Sequence, residues 1–185
     1  GSQDTTDDTD DFNGDIDELK IYRYTRTDEQ VKQDYNQGFA VKMGSDYTLP
    51  SGLVGYWSMD EGSGSSVQDL SENTNTGTIT GATWKNAADC KYGNCLSFDG
   101  STCSGQYVDI GNPTNLNNLI RNDSSFTFSA WANLDTIGSY GIVSKADKYI
   151  GGISLGLSWG GSFTTWFFGN AKGNSLPVVN QWYHV

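Results

Sequence analysis

Apolar and polar residues alternate over short stretches of this chain, and no long helical stripe is present. The clearest alternation runs through residues 126–134, where Phe126, Phe128, Ala130 and Ala132 take alternate positions and Trp131 falls between the last two. Because residues two apart lie on one face of a strand, this stretch predicts a half-buried strand. Similar runs recur with turn residues between them, roughly every 8–12 positions, which is typical of an antiparallel β-sandwich or barrel. Parallel βαβ units are excluded, since helical patterns do not separate the runs.

The first part of the chain has a different pattern. Residues 1–11 form a tract of mainly Asp and Thr without a large apolar side chain, which predicts a disordered segment or a loop. Beyond this tract, Ile16, Leu19 and Ile21 are apolar positions with polar residues between them. We expect this stretch to form a half-buried strand.

A helix is expected directly after this strand. Thr27 and Gln30 have the spacing of a capping box, in which each side chain bonds the backbone N–H of the other residue. Gly38 can end a helix that begins there. We therefore expect one short helix near the N-terminus, over residues 28–36, and a linker at residues 38–51.

The charge of the chain argues against one class of partner. Its 185 residues include 22 acidic and 11 basic side chains, so the formal net charge is −11. A chain this acidic repels phosphate backbones, and we expect no nucleic-acid partner. The same acidity fits calcium sites, or simply a solvated surface. No apolar run has the length that a membrane span needs, so we expect no membrane insertion.

Three cysteines, at positions 90, 95 and 103, bear on the cellular location. Cys90 and Cys95 flank the turn-like stretch KYGN, whose length and glycine can bring the two Cβ atoms to bonding distance. A local disulfide is therefore predicted, with inert thiols as the alternative, while Cys103 has no obvious partner. The single histidine, His184, and the lack of a CxxC pair argue against a zinc site. A disulfide fits a secreted or cell-surface protein.

Four stretches of the chain resemble a known family when they are taken in order. They are GLVGYWSMDEGSGSSVQDLSENTNTGTITGATW, KYGNCLSFDGSTCSGQYVDIG, SFTFSAWANL and NQWYHV, and they span residues 52–185. Their order and spacing resemble the laminin-G-like, concanavalin-A-like module of large bacterial secreted and surface proteins. The resemblance implies an all-β fold in which two antiparallel sheets pack as a jelly-roll sandwich.

The stretch DFNGDIDELKIY resembles the last strand of the same kind of module, although it stands near the start of this chain. We therefore expect a tandem array cut out of phase. Residues 12–37 would end one module, and residues 52–185 would form a second module that is truncated at its C-terminal end. In this family the last strand lies beside the opening strand, so we expect residues 16–22 to pair antiparallel with residues 53–59. Unpaired strand edges are unfavourable, which supports docking over a loosely attached segment.

Glucanases share this jelly roll, so the resemblance raises the question of catalysis. Their chemistry needs two carboxylates on one strand face, about 5–5.5 Å apart. The nearest stretch, GDIDEL, offers Asp15 and Asp17 at alternate positions, but Lys20 stands where a third acidic residue is expected. We therefore expect that the chain is not an enzyme.

The resemblance also implies a structural calcium ion, which such modules often hold at one edge. Asp17 would supply the acid from the last strand, and Asp69 with Asn73 and Asn75 would supply oxygens from a loop. Carboxylate and carbonyl oxygens are the ligands that calcium prefers. The alternative is that Asp69 and Asn73 only form Asx turns.

A glycan site would use an exposed aromatic ring to stack on a sugar, with amide side chains that bond its hydroxyl groups. The candidates for this role are Tyr140, Trp159, Trp166 and Asn170. The alternative is that these rings pack in the core, as alternating aromatic residues in strands usually do.

These observations predict a non-catalytic module, secreted or at the cell surface, that binds carbohydrate or contributes to adhesion. The expected partners are a glycan or a cell-surface protein, together with neighbouring repeats of the same protein. Two alternatives stay open. The module could be a purely structural spacer, or an accessory domain of a secreted glycoside hydrolase.

Overall fold

A computed structural model describes residues 12–42, 50–100, 105–121, 125–138, 140–147, 151–157, 163–167 and 177–185. The described residues form twelve strands and two helices. In chain order these elements are β1 (Asn13–Tyr22), α1 (Asp28–Lys42), β2 (Leu53–Trp57), β3 (Ser66–Val67), β4 (Gly77–Thr80), β5 (Thr83–Lys85), β6 (Cys95–Asp99), β7 (Tyr107–Asp109), α2 (Thr114–Arg121), β8 (Thr127–Leu134), β9 (Tyr140–Asp147), β10 (Gly151–Leu157), β11 (Phe163–Phe167) and β12 (Trp182–His184).

The strands form three antiparallel sheets. The largest has the order β12-β8-β1-β6-β5, with β2 also paired to β1, and two three-stranded sheets have the orders β11-β10-β9 and β3-β4-β7. Val67 of β3 and Ile142 of β9 belong to the same apolar core as Leu96 and Leu134 of the large sheet. Both smaller sheets therefore pack against one face of the large sheet. The predicted all-β, sandwich-like architecture is confirmed.

Strand β1 lies in the middle of the large sheet. Along one side it pairs with β8, and along the other it pairs first with β6 through residues 13–16 and then with β2 through residues 19–22. The pairing of Leu19 with Trp57 and of Tyr22 with Leu53 confirms the expected antiparallel contact between β1 and β2. This stretch of chain is therefore an integral part of the sheet.

The helices differ from the sequence prediction in number and length. Helix α1 spans fifteen residues, from Asp28 to Lys42, and continues through Gly38 where we expected it to end. A glycine inside a helix costs only about 1 kcal/mol relative to alanine, so it ends a helix only when it takes the left-handed conformation. Residues 38–42 therefore belong to the helix and not to a linker. The predicted capping box is confirmed, since Thr27 and Gln30 bond each other's backbone N–H groups.

The expectation of a single short helix is wrong, because α2 lies in the middle of the chain. It follows Pro113, whose carbonyl accepts a hydrogen bond from the N–H of Asn117. Leu116 and Leu119 are one turn apart and both join the core. Three asparagines surround these two leucines, so the apolar stripe is short and the segment has the polar composition of a loop.

Candidate binding site

Alternation along the central strands gives the large sheet a second, polar face. Ile16 and Ile21 of β1 point into the core, and so does Ala130 of β8. Asp17 of β1 and Trp131 of β8 fall at the intervening positions, so they lie on the opposite side of the sheet. We call this side the outer face. Both side chains are nevertheless buried, because other parts of the chain cover the outer face.

Helix α1 covers one part of the outer face and is held there by a buried ion pair. Arg26 contacts Asp34 at 2.8 Å, and the two side chains are 2% and 1% exposed. The hydroxyl of Tyr22 donates a second hydrogen bond to Asp34 at 2.7 Å, and the guanidinium of Arg26 lies 4.2 Å from the centre of the Tyr22 ring. These contacts fix the orientation of α1 on the sheet.

Four rings meet on the outer face, and we call them the ring cluster. Tyr35 of α1, Tyr92 and His184 of β12 have ring centroids 4.9, 5.9 and 5.2 Å from that of Trp131. Trp131 is only 2% exposed, whereas Tyr35 is 50% exposed. The cluster therefore joins a buried indole to a ring that solvent can reach.

A disulfide holds the loop that carries Tyr92. Cys90 and Cys95 are bonded, with Cα atoms 5.6 Å apart, so the predicted bridge is confirmed. Between them, Lys91 places its ammonium nitrogen 4.0 Å from the centre of the Trp131 ring. The hydroxyl of Tyr92 donates a hydrogen bond to the backbone oxygen of Tyr35 at 3.1 Å. The loop of residues 90–95, which we call the disulfide loop, thus covers Trp131 from one side.

Two polar atoms under this cover have no hydrogen-bond partner among the described residues. They are Oδ1 of Asp17 and Nε1 of Trp131. The two residues are direct partners in the pairing of β1 with β8, so their side chains start from neighbouring positions on the outer face. Buried polar atoms are nearly always bonded, which makes an unsatisfied acceptor and an unsatisfied donor at one place noteworthy.

Burial raises the pKa of Asp17 to about 8. The other oxygen of this carboxyl accepts a hydrogen bond from the N–H of Tyr92 at 2.8 Å, which acts in the opposite direction. The negative charges of Glu18 and Asp60 raise the pKa further. Burial therefore favours the neutral form of this carboxyl, and the negative charges of Glu18 and Asp60 act in the same direction.

The neighbouring carboxylate of Glu18 contacts Lys20 and accepts a hydrogen bond from Tyr56. Burial raises its pKa, while the nearby Lys20 and the hydrogen bond from Tyr56 lower it. The Lys20 nitrogen lies 3.4 Å away and the Tyr56 hydroxyl 2.8 Å away. Glu18 has a positive φ of 56°, and β1 shifts its register against β8 between Asp17 and Lys20. A β-bulge therefore brings this acid into the sheet.

In the loop that was expected to hold calcium, Asp69, Asn73 and Asn75 form hydrogen bonds with backbone groups of the loop and of β2. The carboxylate of Asp69 accepts hydrogen bonds from the N–H groups of Tyr56 and Asn75 at 2.9 and 2.8 Å, and also from that of Ser71. The side-chain amides of Asn73 and Asn75 donate to the backbone oxygen of Val54. The bond from Ser71 to Asp69 is the Asx turn that was weighed as the alternative.

Asp17 lies on β1 and not in this loop. Its carboxyl accepts a hydrogen bond from the N–H of Tyr92 on the disulfide loop. Calcium takes roughly six to eight oxygen ligands, and both oxygens of Asp69 accept backbone N–H donors. Within the described part of the chain, no group of three or more His, Cys, Asp and Glu side chains could hold a metal ion. Structural calcium stays a prediction, and a thermal melt with and without chelator tests it.

The four residues expected to bind glycan lie outside the described side chains. Tyr140 begins β9 and Trp166 lies in β11, paired with Ser154, but only their backbone is described. Trp159 and Asn170 are outside the described residues. These predictions therefore remain predictions.

Sequence reasoning did not find the ring cluster. The alternation in residues 126–134 does place Trp131 on the face opposite the core, which is the one available signal. The contacts of Trp131 with Tyr92 and His184, however, depend on the pairing of β8 with β1 and β12. That pairing joins residues more than fifty positions apart, and it is not visible in one sequence.

Comparison with protein-family models, with curated proteins and with solved structures finds no match to this chain. Among the described residues, no helix has both the length and the apolar character that crossing a bilayer needs.

Proposed function

We propose that this protein is a non-catalytic extracellular module that binds carbohydrate, built on a laminin-G-like, concanavalin-A-like jelly roll. The observation that carries the proposal is the ring cluster. It combines a half-exposed ring at Tyr35 with a buried indole and with two unsatisfied polar atoms at Asp17 and Trp131. Sugars are recognised by this combination, because an aromatic face stacks on their C–H groups while a few fixed polar atoms bond their hydroxyls.

Two further observations support parts of this proposal. The Cys90–Cys95 bridge favours a secreted or cell-surface location, because such bonds persist in oxidising compartments. The engagement of Glu18 with Lys20 and Tyr56 favours binding over glucanase chemistry. That chemistry needs a second free carboxylate about 5–5.5 Å from the first.

A glycan array probed with the fluorescently labelled chain tests the proposal. We expect a defined set of glycans to retain the protein, and we expect Tyr35→Ala to weaken their binding at least about tenfold. Tyr107→Ala is the matched control, since Tyr107 is a partly exposed tyrosine on β7, in another sheet. If no glycan retains the protein at high concentration, carbohydrate binding is wrong and the structural spacer is preferred. Equal losses for the two variants would mean that the ring cluster is not the site.

A further inference from the structure

The ring cluster already accommodates a positive charge. The ammonium nitrogen of Lys91 lies 4.0 Å from the centre of the Trp131 ring and 5.7 Å from that of Tyr92. Both distances are within the range of roughly 6 Å over which a ring attracts a cation. An ammonium group therefore fits against this indole without any rearrangement of the backbone.

The unsatisfied atoms beneath the ring cluster define the chemistry of a fitting ligand. Oδ1 of Asp17 can pair with a cationic donor, and Nε1–H of Trp131 needs an acceptor. An ammonium group close to Asp17 favours the ionised form of its carboxyl, as the opposite charge does in any such pair. A sugar with a free amine beside a hydroxyl supplies both groups at once, since the amine donates and the hydroxyl oxygen accepts.

Lys91 is the part of the cover that can leave. Its side chain is long and partly exposed, and the ion pairs of the described residues do not include it. Its backbone stays in place, because the disulfide and the bond from the N–H of Tyr92 to Asp17 hold the disulfide loop on both sides. An incoming amine could therefore take the place of the Lys91 ammonium while the loop keeps its position.

On this basis we propose that the Trp131 site binds the free amine of an amino sugar, and that Lys91 is its internal competitor. The inference rests on the proposed function, because it names the class of glycan that the ring cluster takes. It also explains why an ammonium group lies against this indole while the residue paired with Trp131 in the sheet carries an unsatisfied carboxyl oxygen. The Lys91 ammonium would occupy the site when the ligand is absent, and the Asp17 carboxyl would pair with the ligand amine when it is bound.

The test compares two series of oligosaccharides of equal length by titration calorimetry. One series contains glucosamine units with free amines, and the other contains N-acetylglucosamine units, in which acetylation removes the charge but keeps the sugar ring. We expect the glucosamine series to bind at least about tenfold more tightly. Lys91→Met keeps the apolar stem without the charge, and we expect it to strengthen glucosamine binding several-fold. Asp17→Asn should weaken it about tenfold or more.

Lys32→Met on the exposed surface of α1 is the matched control, because it changes the net charge by the same amount as Lys91→Met. Equal gains for the two lysine variants would overturn the inference, since they would reduce the effect to general attraction by an acidic protein. Weaker binding by Lys91→Met would also overturn it, because Lys91 would then be a ligand contact. Equal binding of both sugar series would reject the amino-sugar inference and leave carbohydrate binding intact. If the protein binds neither series and no other glycan, both the amino-sugar inference and the proposed carbohydrate binding are rejected.

Discussion

Acidification should destabilise this protein through His184, the only histidine in the chain. Its ring packs against Trp131 and Tyr35, and its Nε2 lies 2.9 Å from the hydroxyl of Ser129. Burial lowers the pKa of His184 from 6.5 to about 4, although the charge of Asp34 acts in the opposite direction. The folded protein therefore keeps this imidazole neutral at pH values where a solvent-exposed histidine is already charged.

The size of the effect follows from this shift. In the unfolded chain the pKa of His184 returns to about 6.5, so below that pH the unfolded state binds a proton that the folded state does not. Stability is therefore lost as the pH falls from about 6.5 towards 4, and the loss stops below the pKa of the folded state. With about 1.4 kcal/mol per pKa unit, a pKa lowered from 6.5 to about 4 corresponds to a loss of about 3 kcal/mol in the free energy of unfolding.

Urea denaturation of the unmodified protein and of His184→Gln at pH 7 and pH 4 measures this loss. Glutamine can still bond Ser129 but does not titrate, and the carboxylates that protonate in this range are common to both proteins. We expect the unmodified protein to lose about 3 kcal/mol more than the variant between the two pH values. An NMR titration of the single imidazole gives its pKa directly. A midpoint near 6.5 in the folded protein, or equal losses for the two proteins, would refute the reasoning.

Three further substitutions test other parts of the structure, each by urea denaturation. Asp34→Asn leaves the buried guanidinium of Arg26 without its charged partner, and we expect a loss on the order of 3–5 kcal/mol; a loss below about 1 kcal/mol would contradict a buried pair. Replacing both Cys90 and Cys95 by alanine opens a short loop and should cost about 2 kcal/mol, whereas reducing agent should then have no further effect. Gly14→Ala should cost more than about 2 kcal/mol, because φ is +147° and the new Cβ would overlap the backbone oxygen of Asn133; Gly64→Ala is an open-space control with positive φ.

Local signals carried most of what the sequence predicted correctly. The capping box at Thr27 and Gln30 and the bridge between Cys90 and Cys95 each depend on residues within five positions of each other. The alternation in residues 126–134 needs only the period of a strand. In each case the geometry of a short segment determines the contact, so a single sequence is sufficient.

The candidate site was missed because its contacts join distant residues. Asp17 meets Trp131 through the register of β1 against β8, and Trp131 meets His184 through the register of β12 against β8. A change of one position in either register would place the side chain on the core side of the sheet. Alternation shows which residues share a face, but it does not show which residues of two strands lie opposite each other.

The spacing of apolar residues in β1 nevertheless contained one signal that was not used. Ile16, Leu19 and Ile21 all reach the core, although Ile16 and Leu19 are three positions apart. Side chains three apart lie on opposite faces of a regular strand, so one extra residue must be inserted between them. Glu18, with its positive φ of 56°, stands at that irregularity, where the register of β1 against β8 shifts.

The same bulge explains why the site lies where it does. At this point β1 changes partner from β6 to β2, so the backbone ladder on that side is interrupted between residues 16 and 19. The N–H of Tyr92 reaches Asp17 within this interruption, and it brings the disulfide loop onto the outer face beside Trp131. An irregularity that keeps the apolar residues of β1 in the core therefore also leaves a buried carboxyl open to contact from outside the sheet. Core packing and the candidate site thus have one structural origin, which is the spacing of three residues between Ile16 and Leu19.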